Sequence, residues 1–309
     1  MDSGNGKNDA SRILFKHFDV KCFNNGKSPA YAKIMKEWKI LEKNLPEDIY
    51  VQVYETRIDL LRAVIIGASG TPYHDGLFFF DILLPSNYPE QPPSVYYHSH
   101  GYYLNPNLYQ NGKVCLSLIN TWGGSKSERW TKESSILQVL VSIQGLVLNE
   151  RPYFNEPGTK FLSRFLKLAS HEYNENVFIL SCLSMLRIMR KPPKNFEGFV
   201  AEHFRSRAAS ILTAIQNYQK GNMLIGQFQI NGSSAGVKVS DQFRTKLNRI
   251  YPEFKKTFRS VISDADMTKI EKRENEEASP CSSKTEKTVE ENKDGIWNKI
   301  VNSVKNIMK

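Results

Sequence analysis

The chain holds four cysteines, Cys22, Cys115, Cys182 and Cys281, and Cys115 stands in the setting best suited to chemistry. It lies in NPNLYQNGKVCLSLINTW, just after the turn signal Gln110-Asn111-Gly112 and outside any periodic apolar run. A free cysteine is more often a small buried hydrophobe than a nucleophile, so this position is what distinguishes it. Hydrolysis by a thiol calls for a histidine held by a third group. The histidines are His17, His74, His98, His100, His171 and His203, and none lies in a protease signature. Exchange between thioesters needs less: an accessible thiol, positioning, and a donor for the developing oxyanion. Asn107, which follows Pro106 and precedes Cys115 by eight residues, could supply that amide. Asn-Pro-Asn is also ordinary turn chemistry. No two cysteines form C-x-x-C and none has a histidine at ligand spacing, so no metal site is expected. Dispersed cysteines in a chain of 309 residues do not form a disulfide framework, and a free thiol suits a reducing compartment.

The elements that would position this thiol follow from pattern. With 40% hydrophobic and 24% charged residues the composition is that of a soluble globular protein. The formal net charge is +10, but no run of five or more basic residues appears, which excludes a dedicated nucleic-acid arm. The polar start, MDSGNGKNDASR, lacks a signal peptide's apolar core, and no stretch is long and apolar enough to span a membrane. Residues 1–27 are expected to be a partly disordered extension, with an apolar patch at Ile13–Val20 that could dock on the body. Ser28 and Pro29 predict a helix start, and Ile34, Trp38, Leu41 and Leu45 share one face of that helix. Lys33, Lys36, Lys39 and Lys43 decorate the rest, and Pro46 ends it.

Four strand-like runs follow: Ile49–Tyr54, Asp59–Ile66, Leu77–Leu84 and Ser94–Tyr97. Gly and Pro turns between them predict an antiparallel meander. Gly101–Lys132 has no clean period yet carries Tyr, Leu, Val and Trp, which predicts an ordered functional loop. SSILQVLVSIQGLVL is apolar on most sides and predicts a buried helix. Helices are expected over 160–190, 195–219 and 240–262, then a charged linker over 263–294 and an amphipathic tail, GIWNKIVNSVKNIMK. The resulting fold class is α+β.

With these residues in view, the chain resembles the ubiquitin-conjugating enzymes. Tyr88, Pro89, Pro92 and Pro93 match an upstream Tyr-Pro-x-x-Pro-Pro, Pro106 and Asn107 match the Pro-Asn of a His-Pro-Asn element, Cys115 falls at the catalytic spacing, and Trp130 matches a following tryptophan. Four elements in order carry far more weight than any one of them. The resemblance covers about residues 28–190, taken as the catalytic core, and leaves 191–262 as a helical extension and 263–309 as linker and tail. It extends to the large hybrid conjugating–ligase subfamily and its plant phosphate-homeostasis-type relatives. The segments RIDLLRAVIIGASGTPYHDGLFFFDILLP, ERWTKESSILQVLVSIQGLVL, RKPPKNFEGFVAEHF and FKHFDV carry that likeness.

The resemblance implies a fold of one N-terminal helix, a four-stranded antiparallel meander, an active-site loop and C-terminal helices. It implies that Cys115 accepts ubiquitin from the activating enzyme as a thioester and passes it to lysine amines of target proteins. Asn107 would order the loop and steady the oxyanion, and Leu116, Ser117 and Asn155 would belong to the active-site region. No cofactor would be bound, since ATP is spent by the activating enzyme, and Lys33, Lys36 and Lys39 would help dock that acidic partner. A separate ligase is a further candidate partner, and intrinsic ligase-like substrate selection is the other option. A cytoplasmic or nuclear setting is expected, with endomembrane contact through the tail as an added option.

Some positions depart from the broad pattern. Asn105 stands where the general motif has His, Asn120–Arg129 is an insertion, and Glu90 replaces an apolar ligase contact. Thr131, Lys132 and Glu133 replace a Ser-Pro-Ala, and the acidic gate has no better match than Asn155 or Glu156. Two alternatives to the enzyme reading remain: an inert ubiquitin-binding scaffold, which would typically lack the cysteine, and a cysteine hydrolase.

Overall fold

The computed structural model describes residues 18–21, 30–54, 56–162, 165–221, 223–226, 239–260 and 267–268. The expected Ser28 cap and Pro29, the bulk of the charged linker and the amphipathic tail lie outside these residues. The element order is β1 (Phe18–Lys21), α1 (Tyr31–Asn44), β2 (Ile49–Tyr54), β3 (Arg57–Ile66), β4 (Leu77–Leu83) and β5 (Ser94–Tyr97). The helices α2 (Ile136–Ser142), α3 (Lys167–Arg190), α4 (Glu197–Gln219) and α5 (Asp241–Arg259) follow.

The predicted meander is present, β2 to β5 pairing antiparallel in sequence order. A fifth strand was not predicted: β1, from the N-terminal apolar patch, adds to β2 in parallel, Phe18 opposite Val51 and Lys21 opposite Tyr54. Edge addition is satisfied by backbone groups, so a short run with weak alternation can join without advertising itself.

Both faces of the sheet are covered, and this explains the near-continuous apolar run of β4. Phe78, Phe80 and Ile82 point with Leu61, Ala63 and Ile65 into a core shared with α1 and α2. Leu77 and Phe79 point with Val64 and Ile66 to the opposite side, into a second core built from α3, α4 and α5. A strand buried on both faces loses polar alternation. The helices α4 and α5 therefore pack on the sheet as part of a helical layer. Gln52 Nε2 donates to the Asn195 carbonyl at 2.8 Å, and Tyr50 meets Phe199 at 4.6 Å between ring centroids.

Helix α1 buries Ile34, Trp38 and Leu41 as predicted, while Lys33, Lys36 and Lys39 are exposed. Its N-cap is Ala30, which makes no side-chain cap bond. Glu37 is buried among these apolar residues, accepting from the Tyr88 hydroxyl at 2.8 Å and the Ile136 N–H at 3.0 Å. It ties α1 to the first turn of α2 and to the Tyr88 motif. Helix α3 begins at Lys167, later than the expected start at 160, because Thr159–Leu162 forms a tighter 3-10 turn after Gly158, whose φ is 81°. The helix predicted over 134–148 begins at Ile136 and changes to a π-turn at Ile143–Val147. No helix among the described residues is long and apolar enough to cross a membrane.

Candidate active site

The active-site loop is built on local turn chemistry. The Gln110-Asn111-Gly112 signal closes a turn in which the Tyr109 N–H donates to the Lys113 carbonyl, the Gly112 N–H donates to the Tyr109 carbonyl, and Asn111 Oδ1 accepts from the Lys113 N–H. Gly112 sits at φ 86°, and a Cβ there would stand 2.0 Å from the Tyr96 ring, so no other residue fits. The turn delivers Val114 and Leu116 to the core and leaves Cys115 between them. The Cys115 N–H donates to the Asn107 carbonyl at 2.9 Å, and Asn107 Nδ2 returns a bond to the Cys115 carbonyl at 2.8 Å. The eight-residue spacing is thus closed by a reciprocal pair.

Behind Asn107 stands a relay of amides. Asn105 Oδ1 accepts from the Asn107 N–H at 2.8 Å, and its Nδ2 donates to the Val147 carbonyl and to the Tyr73 hydroxyl, each at 2.8 Å. Asn155 Nδ2 donates to the Val147 carbonyl at 3.0 Å and to Asn105 Oδ1 at 3.3 Å. Asn149 Nδ2 donates to Asn155 Oδ1 at 2.7 Å. Asn105 is fully buried, so in place of a histidine it anchors the loop with an amide that both donates and accepts. The motif carrying Tyr88 and the tryptophan after the insertion meet as well: Trp130 Nε1 donates to the Pro89 carbonyl at 2.8 Å.

Cys115 opens on a cleft of about 690 Å³, lined by Leu116, Ser117, Trp122 and Glu128 from the chain following the thiol and by Leu146, Asn149, Arg151, Phe154 and Asn155 from the segment after α2. No histidine lines it. Burial pushes the Cys115 thiol up, while Lys113 and a hydrogen bond from Tyr109 pull it down. Tyr109 packs edge-on against Tyr103 at 5.8 Å, and the Lys113 ammonium lies 5.7 Å from the centre of its ring.

Of the residues singled out in the sequence, Cys115, Asn107, Leu116, Ser117 and Asn155 line this one cleft. Lys33, Lys36 and Lys39 lie apart, on α1. Glu156 is exposed and is not among the lining residues. Sequence reasoning missed Tyr73, Tyr109, Trp122, Asn149 and Glu128. A Trp-Gly-Gly inside the insertion was the available signal for Trp122; nothing local marks Tyr73.

The profile of the family described as Ubiquitin-conjugating enzyme matches residues 33–179, the segment that holds the sheet, the loop and the cleft. The chain belongs to the ubiquitin-conjugating enzyme family. "Probable ubiquitin-conjugating enzyme E2 23" of Arabidopsis thaliana is 51% identical over 247 residues, 76% of this chain and 22% of that protein. "Probable ubiquitin-conjugating enzyme E2 25" of the same plant is 54% identical over 253 residues, 75% of this chain and 41% of that protein. The human "Dual E2 ubiquitin-conjugating enzyme/E3 ubiquitin-protein ligase BIRC6" is 37% identical over 212 residues, 64% of this chain and 4% of that protein. The chain spans less than half the length of each of these relatives. The match to the plant proteins runs well past the family profile, as expected if the helical layer over α4 and α5 belongs to the shared unit.

Proposed function

We propose that Cys115 accepts the ubiquitin C-terminus as a thioester from the activating enzyme and passes it to a lysine amine of a target protein. The observation that carries this reading is a thiol on the wall of an open cleft, its backbone locked in both directions to the Asn107 side chain and carbonyl.

In the charging step the Cys115 sulfur attacks the incoming thioester carbonyl and the activating enzyme's thiol departs. The balance of bonds is nearly neutral, so the site must position rather than drive. In discharge an amine nitrogen attacks the new thioester, the C–S bond breaks and the Cys115 thiolate leaves. Asn107 Nδ2 has two N–H groups. One holds the Cys115 carbonyl, and the second is available to the oxyanion of the tetrahedral intermediate. The relay through Asn105 and Asn155 keeps that amide oriented. The absence of a histidine from the cleft lining speaks against a thiol hydrolase.

The exposed Lys33, Lys36 and Lys39 offer an acidic activating enzyme a docking face. At the position of an apolar ligase contact, Glu90 pairs with Lys132 at 2.8 Å. A charged surface there favours substrate selection by the chain itself, or by a ligase of different surface chemistry.

The test is incubation with activating enzyme, ATP and ubiquitin, followed by a non-reducing gel. A thiol-sensitive adduct lost in Cys115→Ala supports the reading, and Cys115→Ser should give a thiol-resistant oxyester. Failure of well-folded protein to form any adduct would sink it.

A further inference from the structure

The insertion Asn120–Arg129 is a built wall. Thr121 Oγ1 donates to the Val114 carbonyl at 2.7 Å and accepts from the Leu116 N–H at 3.0 Å, bracketing Cys115 on both sides. Ser117 Oγ donates to the Gly123 carbonyl at 2.7 Å. Glu128 Oε2 accepts from the Ser125 N–H at 2.8 Å, closing a capping box over the turn at Lys126–Glu128. At Gly124 a Cβ would stand 2.6 Å from both the Glu128 carboxylate and the Ser117 hydroxyl. The insertion therefore hugs the active-site loop, and it holds the Glu128 carboxylate beside Ser117, two residues past Cys115.

The charges along the cleft are unequal. Three charged side chains line it: Glu128, Glu150 and Arg151. Glu150 is engaged by Arg151, which donates to it from Nη2 at 2.9 Å and from Nε at 3.0 Å. Glu128 has no cation paired with it among the described residues, and the half-buried Trp122 lines the same wall. A carboxylate with no cation paired to it, in one cleft with an indole, fits a cation at the end of an apolar stem.

We infer that Glu128 and Trp122 form the acceptor-binding wall of the cleft, selecting a lysine side chain by its ammonium and its methylene stem. This deepens the proposed function and rests on Cys115 carrying the thioester. Glu128 holds the ammonium in place. The ammonium loses one proton to water, the neutral nitrogen forms a C–N bond to the thioester carbonyl, the C–S bond breaks, and the second proton shed by the nitrogen passes through solvent to the departing thiolate. Since a nearby carboxylate favours the charged amine, Glu128 acts on acceptor binding and not as the base. Its signature is a change in half-saturation with the maximal rate little altered.

The experiment uses the full chain, charged and then chased with Nα-acetyl-lysine or with hydroxylamine, a neutral nucleophile near neutral pH. Glu128→Gln removes the charge and keeps the cap, because its amide oxygen can still accept from the Ser125 N–H. The expected result is a rise of about three- to fivefold in the lysine concentration for half-maximal discharge, relative to hydroxylamine with the same variant, the scale of one partly screened ion pair. Salt at about molar strength should erase the difference. Trp122→Ala should raise the same ratio without the salt dependence. Lysine and hydroxylamine discharge falling together in Glu128→Gln, or no change in the ratio, overturns the wall. No charging of the unmodified chain overturns the Cys115 reading instead, so the two failures are distinguishable.

Discussion

Cys115 and Cys182 are both free and buried, at 1% and 0% exposure, and burial pushes both thiols up. They sit in opposite halves of the molecule. Cys182 lies on α3 in the second core, among apolar neighbours such as Phe178 and Met185, and burial alone sets its thiol. Cys115 sits in an irregular loop where Lys113 and Tyr109 counter the burial and where a cleft reaches the side chain. Low exposure of the whole residue therefore says little about reactivity. What separates the two is polar company and an approach path.

The largest expected effect breaks this comparison outright. Cys115→Ala should abolish the thiol-sensitive ubiquitin adduct on a non-reducing gel. Cys182→Ala should charge as the unmodified chain does and lower the urea-unfolding stability by about 1 kcal/mol, the scale of a small buried group. Equal charging by the two variants would erase the distinction. Next in size is Asn107→Ala, which removes the amide that spans the loop and, in the proposed mechanism, one oxyanion donor. Discharge onto lysine should fall by about a hundredfold, on the scale of a lost oxyanion donor, as read by single-turnover chase of the pre-charged enzyme. A loss confined to charging would assign Asn107 to docking instead.

The two regions also differ in how far the sequence discloses them. The meander, α1 and the buried α2 could be read from period alone, and Cys115 with Asn107 from spacing and resemblance. The second core could be read as helices but not as a layer. The sign that it covers the sheet lay in β4: Leu77–Phe80 has no polar face, and a strand of that kind needs apolar cover on both sides. Tyr73, Asn149 and Glu128 were invisible because each acts through a partner distant in sequence or through the shape of a turn. Tyr73 reaches Asn105 across 32 positions, a hydrogen bond that no local pattern encodes. Glu37 reads as one more charge on a basic helix, and its partner at Ile136 is 99 positions away.

A third prediction concerns the seam between the halves. His203 Nε2 lies 2.9 Å from the Asp75 carbonyl, Arg207 Nη1 donates to Asp75 Oδ1 at 3.2 Å, and His74 bridges Asp75 Oδ2 at 2.8 Å and the Tyr218 hydroxyl at 3.2 Å. Burial first of all depresses His203 below its ordinary value of 6.5, outweighing the Asp75 carbonyl. A base with a lowered folded pKa contributes stability above its unfolded value and loses it as pH falls from there towards the folded one. The midpoint of thermal unfolding should therefore drop between about pH 7.5 and pH 5.5, and drop less in His203→Gln, whose amide can replace the donor without titrating. An unchanged pH dependence in that variant would remove His203 from the seam's titration.

The smallest expected effect returns to the contrast between the thiols. Burial raises Cys115 first of all, and Lys113 and the Tyr109 hydroxyl oppose it. The thiolate is the reactive form, so alkylation by iodoacetamide should rise with pH and reach its midpoint above the ordinary thiol range. Tyr109→Phe keeps the ring against Tyr103 and deletes one hydrogen bond to the thiolate. The midpoint should then move further up, by a few tenths of a pH unit to about one, the span of a single exposed hydrogen bond to a charged group. Cys182 meets the reagent only when the helical layer opens, so its slow reaction should follow the unfolding equilibrium and ignore Tyr109 altogether. A Tyr109→Phe profile that overlays the unmodified one would leave Lys113 as the sole group answering burial at Cys115. The difference between the two thiols would then rest on the cleft and one surface cation, and Lys113→Ala would have to carry the shift that Tyr109→Phe did not.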